Sequence, residues 1–152
     1  MERGQAADRL ISEMAARQHG LVTRAQLLST GMSADTVRWR VRAGRLVPVH
    51  RGVYQVGLLI STRAWEMAAV LACGPGAVVS HWSAAVLWKL CAARNDVAPV
   101  HVTIRQGDRG HRPGICVHRD TLRAEDTSEV DAVPVTTLAR NDFRSRGPGE
   151  FQ

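Results

Sequence analysis

The stretch from Thr23 to Gly44 constrains the fold most, because it holds two helix starts and two helix stops in close succession. Thr23-Arg24-Ala25-Gln26 has the form of a capping box, in which the hydroxyl accepts from the amide three residues on and the glutamine reaches back. Leu27 and Leu28 give that helix an apolar side, and Gly31 breaks it after scarcely two turns. Ser33 can cap a further helix at once, from Ala34 to Ala43, with Gly44 as its stop. Short helix, tight turn and longer helix predict a helix-turn-helix.

The flanks extend the pattern. Asp8 to Gln18 carries Leu10, Ile11, Met14 and Ala15 on one helical face, Gly20 supplies a left-handed stop, and Leu21-Val22 is a short extended link. Behind Gly44 the period becomes that of strands, Leu46 to Val49 and Val53 to Val56, around a turn with His50, Arg51 and Gly52. A hairpin directly behind the third helix predicts a winged helix over residues 6–57.

A second module is expected over 62–140. Thr62 can cap a helix with Trp65, Ala68, Ala69 and Leu71 that ends at Cys73-Gly74-Pro75-Gly76, and Ser80 to Leu90 reads as another. Val100–Ile104 and Ile115–His118 alternate as strands across a Gly-rich basic loop, and Val133-Pro134-Val135 is a third extended piece. Thr136 or Thr137 can open a helix that never develops. Residues 141–152 are polar and rich in breakers, so a disordered tail is expected. The fold class is therefore α/β (α+β), an N-terminal winged helix-turn-helix followed by a small mixed α+β module.

Charge separates the two parts. Residues 1–57 hold nine arginines against four acids, a net +5, whereas the remainder holds 11 bases against 10 acids. Arg38, Arg40, Arg42, Arg45 and Arg51 follow one another without an acid between them, a density that repels itself unless a polyanion faces it. At 100° per residue, Ala34, Val37 and Val41 form the buried stripe of the third helix, and Asp35, Thr36, Trp39, Arg42 and Ala43 point away. In double-stranded DNA that outward face meets the major groove. There Arg42 can fork onto a guanine, Thr36 can take a base edge or a thymine methyl, and Asp35 can accept from a cytosine amine. Arg38 and Arg40 flank this face and, with Arg24, reach phosphates. Arg45, His50 and Arg51 belong to the wing, where an arginine in the minor groove reads width. Trp39 either meets DNA or protein, or is a half-buried anchor against the wing; the pattern leaves both open.

The residues Gly20-Leu21-Val22-Thr23-Arg24-Ala25-Gln26-Leu27, Gly44-Arg45-Leu46 and His50-Arg51-Gly52-Val53-Tyr54 resemble the N-terminal winged helix of AbiEi-type antitoxins of type IV toxin–antitoxin systems. The likeness continues through Ser80-His81-Trp82-Ser83-Ala84-Ala85, Val100-His101-Val102-Thr103, Val117-His118-Arg119 and Val133-Pro134-Val135-Thr136-Thr137. What the resemblance implies is a DNA-binding antitoxin that represses its own operon and counters a nucleotidyltransferase-type toxin. Related chains continue beyond the Pro-Val-Thr-Thr segment into a full helix, some into a Vsr-like nuclease domain. The expectation is thus a truncated member whose uncovered second module self-associates. The alternative is the front end of a nuclease-containing protein.

Other chemistry finds little support. His81, His101, His111 and His118 with Cys91 and Cys116 lack the local spacing of a zinc motif, and His101 and His118 are expected to point outward from strands. No Walker A loop, G-x-G-x-x-G or G-x-S-x-G occurs. Glu125, Asp126, Glu129 and Asp131 cluster in what reads as a solvated acidic turn with no strand to hold them. No catalytic residue, metal or cofactor is expected, and the chain is read as a non-enzyme. Its three cysteines form no close pair, and no apolar run reaches the roughly 18 residues of a membrane span, so a reducing cytoplasm without membrane contact is expected.

Overall fold

The computed structural model describes residues 2–58, 61–92, 98–107 and 110–141. The chain divides into two compact units, Met1–Ala72 and Cys73–Gln152.

In the first unit, helix α1 (Glu2–Arg17) begins ahead of the expected Asp8 because Gln5, Ala6 and Ala7 favour helix without contributing an apolar face. Ile11 and Ala15 are buried and Met14 packs beside them, whereas Leu10 stays exposed on the flank of the stripe. The short link Leu21–Thr23 is a strand, β1. Helix α2 (Arg24–Ser29) has both halves of its capping box: the Gln26 amide donates to Thr23 Oγ1 at 3.2 Å, and the Thr23 amide to Gln26 Oε1 at 2.8 Å. Helix α3 (Ala34–Arg42) starts where the Thr36 amide donates to Ser33 Oγ at 3.1 Å. Gly44, at φ +69°, makes the left-handed turn that sends the chain into the hairpin of β2 (Leu46–His50) and β3 (Val53–Val56). The sheet order is β1-β3-β2, all antiparallel, with a register shift between Pro48 and His50. Ile11, Val22, Leu27, Met32, Val37 and Leu46 share one core beneath it. Three helices and this hairpin make a winged helix.

Helix α4 (Ala64–Cys73), read from sequence as the opening of the second module, falls almost wholly before the boundary between the units. Its Trp65, one of the apolar residues read on that helix, is 60% exposed. Helical side chains lean toward the N-terminus, so a first-turn tryptophan projects past the helix start instead of lying over a preceding turn.

The second unit is built on a mixed five-stranded sheet. Its strands are β4 (Val78–Val79), β5 (Val100–Ile104), β6 (Ile115–Arg119), β7 (Thr127–Val130) and β8 (Val133–Thr136), in the order β6-β5-β4-β8-β7. β5 runs parallel to β6 and β4 parallel to β8, while the other neighbours are antiparallel. Helix α5 (His81–Leu87) stops short of the expected Leu90, because Lys89 takes a left-handed φ of +58° and turns Leu90 out. Trp88 closes that end by donating from Nε1 to the Thr136 carbonyl at 2.9 Å.

Two expectations for this unit are corrected. The acidic stretch does hold a strand: Glu129 lies on β7, behind a 3-10 turn at Ala124–Asp126, and β7 pairs with β8 from Thr127↔Thr136 to Val130↔Val133. His101 is buried, at 7% exposure, because α5 covers that face of β5 and Ser83 Oγ accepts from the His101 amide at 2.9 Å. As read from the sequence, no helix develops after Thr136 among the described residues: the chain makes a turn, with the Arg140 and Asn141 amides both donating to the Thr137 carbonyl at 3.2 Å, and Leu138 is exposed. Arg140 anchors it to Asp120 at 2.6 Å and to Asp126 at 3.0 Å. The tail expected to be disordered lies outside the described residues, apart from Asn141.

Candidate nucleic-acid interface

Val37 is buried in the unit's core and Ala34 and Val41 are half-buried, which fixes the rotation of α3. That rotation sets Arg38 and Arg42, one turn apart, on the side of the helix that faces the wing. Between α3 and the hairpin runs a cleft of about 550 Å³. Arg24, Arg38, Arg42, His50 and Arg51 line it together with Ala34, Val37, Val41, Pro48, Val49 and Tyr54. Four guanidinium groups and an imidazole from three elements thus surround one concave surface. The Arg24 amide donates to the Gly52 carbonyl at 2.8 Å, which ties the start of α2 to the turn of the wing and holds the two sides of the cleft in register.

The remaining predicted residues lie elsewhere. Asp35 is exposed and forms an ion pair with Arg38, so the carboxylate orients the arginine on its own helix. Thr36 is half-buried, its amide and hydroxyl both engaged with Ser33 Oγ. Trp39 is 52% exposed, and the Arg45 guanidinium sits over its ring at 5.1 Å from the centroid. The tryptophan is therefore not an anchor sunk between helix and wing; it is partly covered by a cation, an arrangement worth about 0.5–1 kcal/mol at an exposed site. Arg40 is turned away from the cleft. It is largely buried and donates to Asp8 on α1 at 2.6 Å.

Arg42 has no ion-pair partner among the described residues, which leaves its fork of donors available. The imidazole of His50 is held below its ordinary pKa by burial. It is therefore neutral at pH 7 and offers one donor and one acceptor, not a charge. Tyr54, Pro48 and Val49 were not singled out in the sequence as lining residues. Their signal was the alternation of the hairpin, which puts Pro48 opposite Tyr54 in the register.

A two-sided basic cleft on a winged helix is what a regulator of transcription presents to duplex DNA, and a comparison of families agrees with that description. Residues 9–57 match the family model for the AbiEi antitoxin, a transcriptional regulator. The AbiEi match begins in α1 and ends just past β3, so it takes in every element that builds the cleft. The resemblance read from the sequence is borne out over this segment. A search among curated proteins found no match. Among the described residues, no helix is long and apolar enough to cross a membrane.

Proposed function

We propose that the chain is an autoregulating antitoxin of a type IV toxin–antitoxin system, acting by binding and not by catalysis in the cytoplasm. Its winged helix binds the operator upstream of its own operon, and its second unit meets a nucleotidyltransferase-type toxin. The observation that carries the DNA half is the arginine-lined cleft between α3 and the wing, inside the segment that matches the AbiEi regulators. In this reading α3 enters the major groove, Arg24, Arg38 and Arg51 hold the phosphates beside it, and Arg42 reaches a guanine edge. Trp39 and Arg45 lie along the exposed side of α3, where the pair packs onto the sugar-phosphate backbone. The net charge of +1 beyond residue 57 suits contact with protein better than contact with nucleic acid.

Footprinting on the DNA upstream of its own gene tests the first half. A protected stretch that competitor DNA of unrelated sequence does not remove supports it, and absence of protection at low salt overturns it. The toxin half is tested separately, by co-purification with the product of a neighbouring nucleotidyltransferase gene and by rescue of growth when that gene is expressed.

A further inference from the structure

The strongest chemistry in the molecule outside the cleft lies on one face of two parallel strands. In the pairing of β5 with β6, His101 stands beside Cys116 and Thr103 beside His118. Successive residues of a strand alternate between faces, so Cys116 and His118 share a face, and His101 joins them from the neighbouring strand. His101, fifteen residues before Cys116 in the chain, is brought to the Cys116–His118 pair by this register. His101 Nδ1 and His118 Nε2 are 2.9 Å apart, and Cys116 Sγ is 3.6 Å from the same Nε2. The three candidate ligand atoms all lie within 4.8 Å of one another.

We propose that His101, Cys116 and His118 form a binding site for zinc or a similar borderline-soft divalent ion, with a fourth coordination position open to water. Around a tetrahedral ion with metal–nitrogen bonds of about 2.05 Å and metal–sulfur bonds of about 2.3 Å, ligand nitrogens are about 3.3 Å apart and nitrogen and sulfur about 3.6 Å apart. The separation of Cys116 Sγ from His118 Nε2 already has this value, that of Sγ from His101 Nδ1 is within 4.8 Å, and the two imidazole nitrogens need to part by only a few tenths of an ångström. One thiolate with two imidazoles is a donor set suited to zinc and not to magnesium or calcium. A hydrogen-bonded imidazole pair by itself would require no thiol directed at the same nitrogen.

The surroundings hold the ligands in place. The Ser83 hydroxyl accepts from the His101 amide, and Thr103 donates from Oγ1 to Ser80 Oγ at 2.7 Å, while Ser80 Oγ lies 2.9 Å from His81 Nδ1. His81 stacks on His118 with ring centroids 3.8 Å apart. To place that ring, His81 adopts a φ of +52°, a left-handed conformation costly for a residue with a side chain. His101 is buried and the other two ligands are half-buried, so the site is partly desolvated yet reachable. On binding, the Cys116 thiol loses its proton to solvent. The hydrogen shared by the imidazoles leaves the nitrogen it occupies for the other nitrogen of the same ring, so each imidazole ligates in its neutral form.

The test is titration of the chelator-stripped full chain with Co²⁺. One equivalent should give d–d bands of a tetrahedral ion and a near-ultraviolet thiolate-to-cobalt band, both bleached by Zn²⁺. Cys116→Ser should remove the charge-transfer band and His118→Asn should weaken binding at least tenfold, while Cys91→Ser leaves both intact. No bands in the native sequence, or a charge-transfer band that survives Cys116→Ser, overturns the site. Should a variant fail to fold, the native chain still decides: Zn²⁺ should slow alkylation of Cys116 about tenfold or more, read by peptide mass mapping, and leave Cys91 unaffected. Equal alkylation of Cys116 with and without Zn²⁺ rejects the proposal.

Discussion

Arg40 donates to Asp8 at 2.6 Å, so an arginine from the middle of the basic run ties α3 to α1 instead of lining the cleft. Its side chain is 18% exposed against 54% for Asp8, which places the pair at the edge of the core. Removing Asp8 leaves the Arg40 guanidinium poorly solvated, whereas removing Arg40 leaves a half-exposed carboxylate in water. Arg40→Ala should therefore lower unfolding free energy by about 1 kcal/mol, part of it from lost packing of the aliphatic stem, and leave the DNA affinity of the folded protein nearly unchanged. Urea unfolding and a DNA titration on the same sample check it. A stable variant with a tenfold weaker complex would place Arg40 on DNA after all.

Arg42 and Arg38 line the same cleft with different constraints, since Asp35 already orients Arg38. Arg42→Ala should relax sequence preference at one base pair at a cost of about 1–3 kcal/mol, whereas Arg38→Ala weakens all sequences alike. Binding to an array of single-base operator variants separates the two. Equal losses on specific and random duplexes from both substitutions would mean that α3 presents a different side to the groove.

Three or four arginines on phosphates release a corresponding number of counterions. The logarithm of affinity should then fall with the logarithm of salt concentration at a slope of about −2.7 to −3.6. Arg24→Ala or Arg51→Ala should each make the slope shallower by about 0.9. Fluorescence anisotropy between low and physiological salt measures it, and a flat dependence contradicts binding through the cleft.

Burial lowers the pKa of His50 in the folded chain, and the unfolded chain keeps the ordinary value of about 6.5. Above that value the residue is neutral in both states and its contribution to stability is complete. As pH falls through 6.5 the unfolded state takes up the proton first, so stability declines until pH passes below the folded-state value. Comparing His50→Gln with the native sequence by urea unfolding at pH 7.5 and 5.5 isolates this residue. The native chain should lose more stability on acidification than the variant, and an equal loss refutes the assignment.

Most of the winged helix was legible from the sequence because its signals are local. Thr23, Gln26, Ser33 and Gly44 act on amides within a few residues, and each occupies the cap or turn read for it. The rotation of α3 followed from the Ala34, Val37 and Val41 stripe for the same reason. The partnership of Arg40 with Asp8 was not legible, since nothing in a helical pattern says which arginine a preceding helix will engage. In the second unit, alternation revealed β5 and β6 but not that they run parallel, side by side. That long-range register is what brings His101 to Cys116 and His118. β1 was missed as a strand because three residues carry too little alternation to reveal that β3 would pair with them.

Pro48 lies in β2, an edge strand of the β1-β3-β2 sheet, and has no amide hydrogen to offer a strand arriving from another molecule. Open sheet edges on neighbouring copies of a protein can fuse into ribbons. A proline in the middle of a five-residue edge, with a bulge directly after it, interrupts any such ladder. The edge that the hairpin leaves open is thus guarded against backbone pairing with a second copy.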